Sequence, residues 1–600
     1  MKRLLTVTIA ALLFGSVSAQ RKAADTRLQD IDKELQLVLD TWKAAGFAVA
    51  VVEKDKVVYA KGFGFRDYEK KLPVTPNTLF AIGSCSKAFT SGLLGILREQ
   101  SKIDFDDSPQ KYLPGFRFYN DAMNDNIIVK DLMSHRTGLP RHDYSWYLFP
   151  TQDRDSLVER IQHQEPFTGV RQKWYYNNFM FLLQGVIAEK ITGKSWEDNI
   201  REHFFAPLKM STSNVSIAEL EKSSEPALGY EVRNDRIEKM KYYDIAAMAP
   251  AGSINSSVNE MSIWLRTWIH GGKFEGKQIL PASYTREAIS SQSIVNEGLP
   301  SSEHPDLHNA TYGYGWSLSS YKGHYRVEHG GNIDGFSAST SFYPSDSVGI
   351  VVLVNQNGSP VPAIVRNIIS DRMLKVARTN WNKEIKDRRD KNEKEQAEAR
   401  KVKEDNSIKG THPSHPITDY TGRFEGKGYG KFNITLRNDS LYAVFKLEKV
   451  WLRHRHYDVF DAFPVKHGKA DTTNMLDTKL NFNTNDMGEI SSVSIKLEPT
   501  LDALIFIRAS TAAPVDEKTL SQYVGSYELG GIVARFYMKG KTLALTVPGQ
   551  PEYELVFVGR DKFLLKNLAG FKIEFVETAG KYSEAVFVQP NGTFRAKRKE

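Results

Sequence analysis

Apolar residues recur at helical spacing through Leu28, Ile31, Leu35, Val38, Leu39 and Trp42, which predicts an amphipathic first helix ending before Gly46. Residues 47–52 and 56–60 then read as the two strands of a hairpin joined at Glu53-Lys54-Asp55. A β-rich lead-in gives way at residue 88 to a helical run reaching 97, and residues 179–191 form a second strongly apolar helix. Between 103 and about 310, helical runs alternate with long polar loops rich in aromatics, such as 142–150, and loops of that kind commonly line clefts. From Tyr312 onward the period changes to that of strands, at 315–319, 325–328, 337–343 and 348–354, with turns expected at Gly330-Gly331 and Pro344-Ser345-Asp346. A helix over 361–376 closes this region. Strands and helices from both ends of residues 20–378 predict one antiparallel sheet flanked by helices, with the helical middle inserted as a second lobe.

Residues 380–405 mix Lys, Arg, Glu and Asp with hardly an apolar position, so they bury no face of their own; 379–411 reads as a charged helical linker. Beyond Pro413 short strands return, with hairpin signals at Asn438-Asp439 and Lys539-Gly540. Tyr420-Thr421-Gly422-Arg423-Phe424 matches Tyr523-Val524-Gly525-Ser526-Tyr527, and Leu452, Asp458 and Phe460 match Leu555, Asp561 and Phe563 at the same offset. The expectation is two small antiparallel β-barrel modules, 412–510 and 511–600, which makes the chain α/β followed by all-β.

A chain of 600 residues exceeds one core and implies several domains. Met1-Lys2-Arg3, the apolar run from Leu4 to Gly15, and Val17-Ser18-Ala19 together read as a secretory signal peptide over 1–19, so the mature protein is expected to start at Gln20, in the periplasm or outside the cell. Nothing later offers the ~18 apolar residues of a membrane span, which predicts no membrane anchor after cleavage. Cys85 is the only cysteine; it allows no intramolecular disulfide and reads as a small apolar filler. The formal charge of +8 is modest for this length and implies no nucleic-acid partner.

The chemistry begins at Ser84, where a hydroxyl at the start of a helix is followed one turn later by the amine of Lys87. Helix-start N–H groups favour an oxyanion there, although an N-capping serine explains Ser84 alone equally well. Ser319-x-x-Lys322 has the same form but lies in strand-and-turn sequence. Tyr176 and Asn178 stand just before the helix at 179. His329-Gly330-Gly331 follows a predicted strand end, whereas His270-Gly271-Gly272 reads as a helix C-cap and His467-Gly468 lies among the β modules. His454, His456 and Asp458 alternate along one predicted strand and could in principle share a metal, but nothing else in the sequence asks for one.

Taken in order, Ser84-x-x-Lys87, Tyr176-x-Asn178 and His329-x-Gly331 resemble the serine β-lactamase-like hydrolases of the class C β-lactamase, D-aminopeptidase and penicillin-binding peptidase type. Asp131 to Pro140, Pro250-Ala251-Gly252-Ser253 and Tyr314-Gly315-Trp316 extend the likeness across about 25–378, and Leu452 to Phe460 resembles the lipocalin-like module often appended to such enzymes. The resemblance implies an acyl-enzyme on Ser84, with Lys87 and Tyr176 sharing its proton and either serving as base. It further implies that Asn178, His329, Gly330 and Gly331 bind substrate and that the backbone N–H groups of Ser84 and Asn332 form an oxyanion hole. No metal or organic cofactor is implied. Penicillin specialists carry lysine where this chain has His329, a mostly neutral side chain, so an esterase or D-amino-acid peptidase is favoured over a dedicated β-lactamase. The expected partner is a small-molecule or peptide substrate, including peptidoglycan-derived ones, with oligomerisation through the β modules left open. The rival reading is a catalytically silent protein that binds peptidoglycan fragments or a partner.

Overall fold

A computed structural model describes residues 25–599 except 243, 297, 406, 467, 510–514, 560, 567 and 569; the expected leader over 1–19 and His467 lie outside the described residues. Helix α1 (Ile31–Trp42) buries Ile31, Leu35, Val38, Leu39 and Trp42, the stripe its spacing predicts. Strands β1 (Gly46–Glu53) and β2 (Lys56–Asp67) form the expected hairpin. They are followed, in the region before residue 378, by helices α2 (Lys87–Glu99), α3 (Phe179–Thr192) and α4 (Val258–Ile269). Strands β3 (Ser317–Tyr321), β4 (His324–Ile333), β5 (Phe336–Tyr343) and β6 (Val348–Val354) and helix α5 (Val361–Met373) complete it.

The two ends of this region meet inside one nine-stranded sheet, where β6 pairs antiparallel with β1 from Phe47↔Val354 to Glu53↔Val348. Because side chains alternate along a strand, β1 feeds two cores at once. Phe47, Val49 and Val51 pack under α1 and α5, while Ala48, Ala50 and Val52 face the core shared with α2 and α4. Each buried valine there stabilises the fold by roughly 1.5–3 kcal/mol. The sheet is therefore a floor between two layers, with α4 packed on one face and α5 on the other.

One expectation fails in an informative place. Gly330-Gly331 forms no turn: β4 runs straight through His329, Gly330, Gly331 and Asn332, all paired with β5, and the reversal comes at Asp334-Gly335. The glycine at 331 serves close approach instead, since a Cβ there would lie 1.9 Å from the carbonyl oxygen of Ile82.

Helix α6 (Trp381–Asp405) follows, fixed at its start by the Trp381 indole donating to Asp371 and lined by exposed pairs such as Lys383–Asp387 and Arg389–Glu393. Beyond it two eight-stranded antiparallel barrels close, the first from Gly422 to Arg508 and the second from Gly525 to Arg598. The repeat is visible in their hydrogen bonds. Tyr420 donates to Asp458 as Tyr523 does to Asp561, and Arg508 reaches the Thr421 carbonyl as Arg598 reaches that of Val524. Asp458 does not share a strand with His454 and His456. The strand ends at His456, Tyr457 takes a left-handed conformation, and the Asp458 carboxylate turns to Ser414 and Tyr420.

Candidate active site

Ser84 sits in a single 3-10 turn, Gly83–Ser86, that runs into α2, and its hydroxyl caps neither element. Lys87, the first residue of α2, is fully buried, and its Nζ lies 3.0 Å from Ser84 Oγ, 2.8 Å from Asn178 Oδ1 and 2.7 Å from the Ala251 carbonyl oxygen. Burial disfavours the ammonium and holds its pKa well below the usual lysine range; the Asp143 charge opposes this and the Arg141 charge adds to it. A neutral amine has two N–H groups and one lone pair. Asn178 Oδ1 and the Ala251 carbonyl can only accept, so they take both N–H groups and leave the lone pair for the Ser84 hydroxyl. The similar Ser319-x-x-Lys322 builds nothing of the kind: Lys322 follows β3 in a turn, and its amine is held by Asp371, Ala377 and Thr379.

Tyr176 and Asn178 reach the same point from the start of α3. Asn178 Nδ2 donates to Asp143 Oδ1 at 2.8 Å, and because a carboxylate only accepts, this contact turns the amide oxygen toward Lys87. The Tyr176 ring is packed between His135, at 4.4 Å between centroids, and the Lys87 amine and Arg141 guanidinium, at 4.9 and 5.0 Å. Burial raises the phenol pKa above its ordinary value while a hydrogen bond with Ser84 works against the rise, so the phenol keeps its proton at neutral pH.

Strand β4 supplies the third side. His329 Nδ1 lies 2.6 Å from the Gly330 carbonyl oxygen, which can only accept, so Nδ1 carries the proton and Nε2 accepts from the Tyr312 hydroxyl at 2.9 Å. Burial pushes this imidazole down to about 4, and the ring faces the site neutral. Gly83 has φ +52°, and a Cβ on it would come within 2.9 Å of Asn332 N, so the Ser84 turn lies directly against β4 at Asn332. Gly331 faces Ile82 and not the pocket, whereas a side chain at Gly330 would meet only the Ala338 carbonyl, at 3.8 Å. Cys85 is buried against the His329 carbonyl with its thiol pushed up to about 11, an inert filler.

These groups border a cavity of about 620 Å³ lined by Ser84, Tyr176, Asn178, His329, Gly330 and Asn332. Arg141, Asp143, Trp146 and Tyr147 also line it. The sequence marks that stretch only as a loop able to shape a cleft, and no local spacing ties Asp143 to Asn178, or the Ala251 carbonyl to Lys87. His135 and Tyr312 likewise join through the fold alone.

Residues 34–371, more than half of the chain, match the profile of the beta-lactamase family, and residues 406–505 match a domain of unknown function, DUF3471. The unguisins hydrolase ungD' of Aspergillus campestris is 28% identical over 445 residues, covering 70% of this chain and 79% of that protein. Protein flp of Staphylococcus aureus is 25% identical over 342 residues, covering 57% of this chain and 65% of that protein. Among solved structures, the octameric penicillin-binding protein homologue from Pyrococcus abyssi shares the fold, with a TM-score of 0.53 and 21% identity over 79% of this chain and 99% of that one. The matched profile spans the whole stretch that brings Ser84, Lys87, Tyr176 and His329 together, and the chain belongs to the beta-lactamase family of serine hydrolases.

Proposed function

We propose that the protein hydrolyses an ester or amide bond through an acyl-enzyme on Ser84, and the observation that carries this reading is the hydrogen-bond set of Lys87. Ser84 Oγ attacks the carbonyl carbon as its proton passes to the neutral Lys87 amine, and the carbonyl π pair moves onto oxygen. The backbone N–H groups of Ser84 and Asn332 take up that oxyanion. Its collapse expels the alcohol or amine, which receives a proton from the Lys87–Tyr176 pair through the Tyr176 phenol. A water molecule then repeats the attack in the other direction and frees Ser84.

The substrate reading follows from charge. His329 is neutral, and the Arg141 guanidinium is already engaged by Asp143, with contacts of 2.6 and 2.5 Å. Among the described residues the site thus holds no fixed cation free of a carboxylate partner for the carboxylate of a penicillin, which favours esters and amides of small D-amino acids or short peptides. We also read residues 1–19 as an export signal that places the enzyme in the periplasm or outside the cell. The remaining chain divides in this reading into a hydrolase over 20–378, a linker over 379–411, and modules over 412–510 and 511–600.

The test is turnover of p-nitrophenyl esters and p-nitroanilides of D- and L-alanine beside a chromogenic cephalosporin, by the wild type and Ser84→Ala. The expected result is turnover of the D-alanyl substrates, above the cephalosporin, that disappears in Ser84→Ala. Turnover surviving in Ser84→Ala would overturn the nucleophile, and preference for the cephalosporin would overturn the substrate class.

A further inference from the structure

Residues 141–150 carry Arg141, Asp143, Trp146 and Tyr147 into the cavity, and the first barrel holds this loop down. Phe149 is buried in the core of that barrel, stacked on Phe506 with centroids 5.8 Å apart and edge-on to Phe445 at 5.6 Å. The Tyr429 hydroxyl and His142 Nδ1, both buried, lie 2.7 Å apart. His142 Nε2 is 3.1 Å from the Glu165 carbonyl oxygen, which only accepts, so Tyr429 is the donor to Nδ1. Ser145 Oγ donates to the Gly428 carbonyl at 2.6 Å. These contacts bracket Asp143 on both sides.

We propose that the first barrel is a working part of the catalytic site: by clamping residues 142–149 it makes Asp143 a positioning residue that holds the Asn178 carboxamide with its oxygen toward Lys87. The proposal rests on the hydrolase reading above. Asp143 Oδ1 receives Asn178 Nδ2 and the Trp146 indole N–H, at 2.8 and 3.0 Å, and Oδ2 receives Arg141 Nε at 2.6 Å. Every neighbour is a donor, so an amide in place of the carboxylate sets one donor against another. With its NH2 toward Asn178, that amide makes the Asn178 carboxamide flip and point its own NH2 at Lys87; with its NH2 toward Arg141, it loses the ion pair and holds Asn178 through a weaker, neutral acceptor.

The charge of Asp143 gives a second signature. The charged and titratable groups around the Lys87 amine are Asp143, Arg141, Cys85, His135, Tyr176 and His329, and behind Asp143 and Arg141 stands Glu498 of the barrel, pushed up to about 7 by burial and the Asp143 charge. Asp143 supports the ammonium against burial and Arg141 opposes it. Removing the Asp143 charge therefore shifts protonation of Lys87 to lower pH, an effect that loosened packing does not produce.

The test measures the second-order rate of Ser84 labelling by a fluorophosphonate, by intact mass across pH, in the full chain, in Asp143→Asn and in Tyr429→Phe, with melting curves alongside. Asp143→Asn is expected to label on the order of 10²-fold more slowly and to move the acid limb to lower pH. Tyr429→Phe, which loses one hydrogen bond and keeps every charge, is expected to slow labelling about fivefold with the limb in place. Labelling of Asp143→Asn at the wild-type rate with an unmoved limb overturns the proposal. If that variant does not fold, Tyr429→Phe decides, and wild-type labelling there overturns the clamp. Absence of labelling in the wild type is a different failure, since it removes the hydrolase reading itself.

Discussion

At Lys87 a single side chain carries both the cost and the function. Lys87→Met replaces a buried amine by an apolar chain of similar length, so melting temperature is expected to hold or rise while ester turnover falls by about 10²–10⁴-fold. A variant that kept its kcat would remove Lys87 from the mechanism. Because the folded amine has a depressed pKa, the acid limb of kcat/KM reports its deprotonation and activity rises with pH through it. The buried imidazoles act on stability in the same direction. His142 and His329 are both pushed down to about 4, so they stay neutral in the fold while the unfolded chain takes up protons below about 6.5. Each therefore withdraws about 3 kcal/mol as pH falls from 6.5 to 4. Urea unfolding at successive pH values should show that loss, and a flat profile across the window would contradict their neutral burial. Ser84 and Lys87 were legible because three residues on a helix are neighbours whatever the rest of the chain does. Asp143 was not, because its partner Asn178 is brought to it only by the fold.

At the scale of elements, β4 shows how one local signal fits two structures. Two adjacent glycines carry the same local signal in a turn and in a strand pressed against another backbone, and only the Ile82 carbonyl distinguishes them. The two glycines now separate experimentally. Gly331→Ala puts a methyl group against that carbonyl, and such overpacking should cost roughly 1–3 kcal/mol and push Asn332 away from Gly83, with fluorophosphonate labelling reduced alongside. Gly330→Ala has room, so its melting curve should match the wild type. Equal melting temperatures for the two variants would refute the close approach. The other main elements were readable from period alone: β1 alternates between two cores and α1 presents one stripe, so neither depends on distant contacts for its identity.

For the whole molecule, the 103-residue offset reappears as two barrels with matched Tyr–Asp and Arg–carbonyl contacts, yet their surroundings differ. The first receives Phe149 of the hydrolase loop in its core, while the second is joined to the first by Lys572 and Glu489, and none of its described residues lines the cavity. A chain ending before residue 515 should accordingly keep the wild-type rate of Ser84 labelling; a large loss would mean that the second barrel also shapes the site. The sequence shows that there are two modules but not which one touches the hydrolase, because that contact is made by His142, Ser145 and Phe149 of a loop without periodic pattern.

The central claim is that Ser84 forms an acyl-enzyme, and rapid quenching with a D-alanyl ester followed by mass analysis of the intact protein and its peptides tests it most directly. The predicted result is a mass gain of one D-alanyl group on the peptide containing Ser84, absent in Ser84→Ala. Turnover of the ester with no Ser84 adduct at any quench time, or an adduct on another residue, would contradict it.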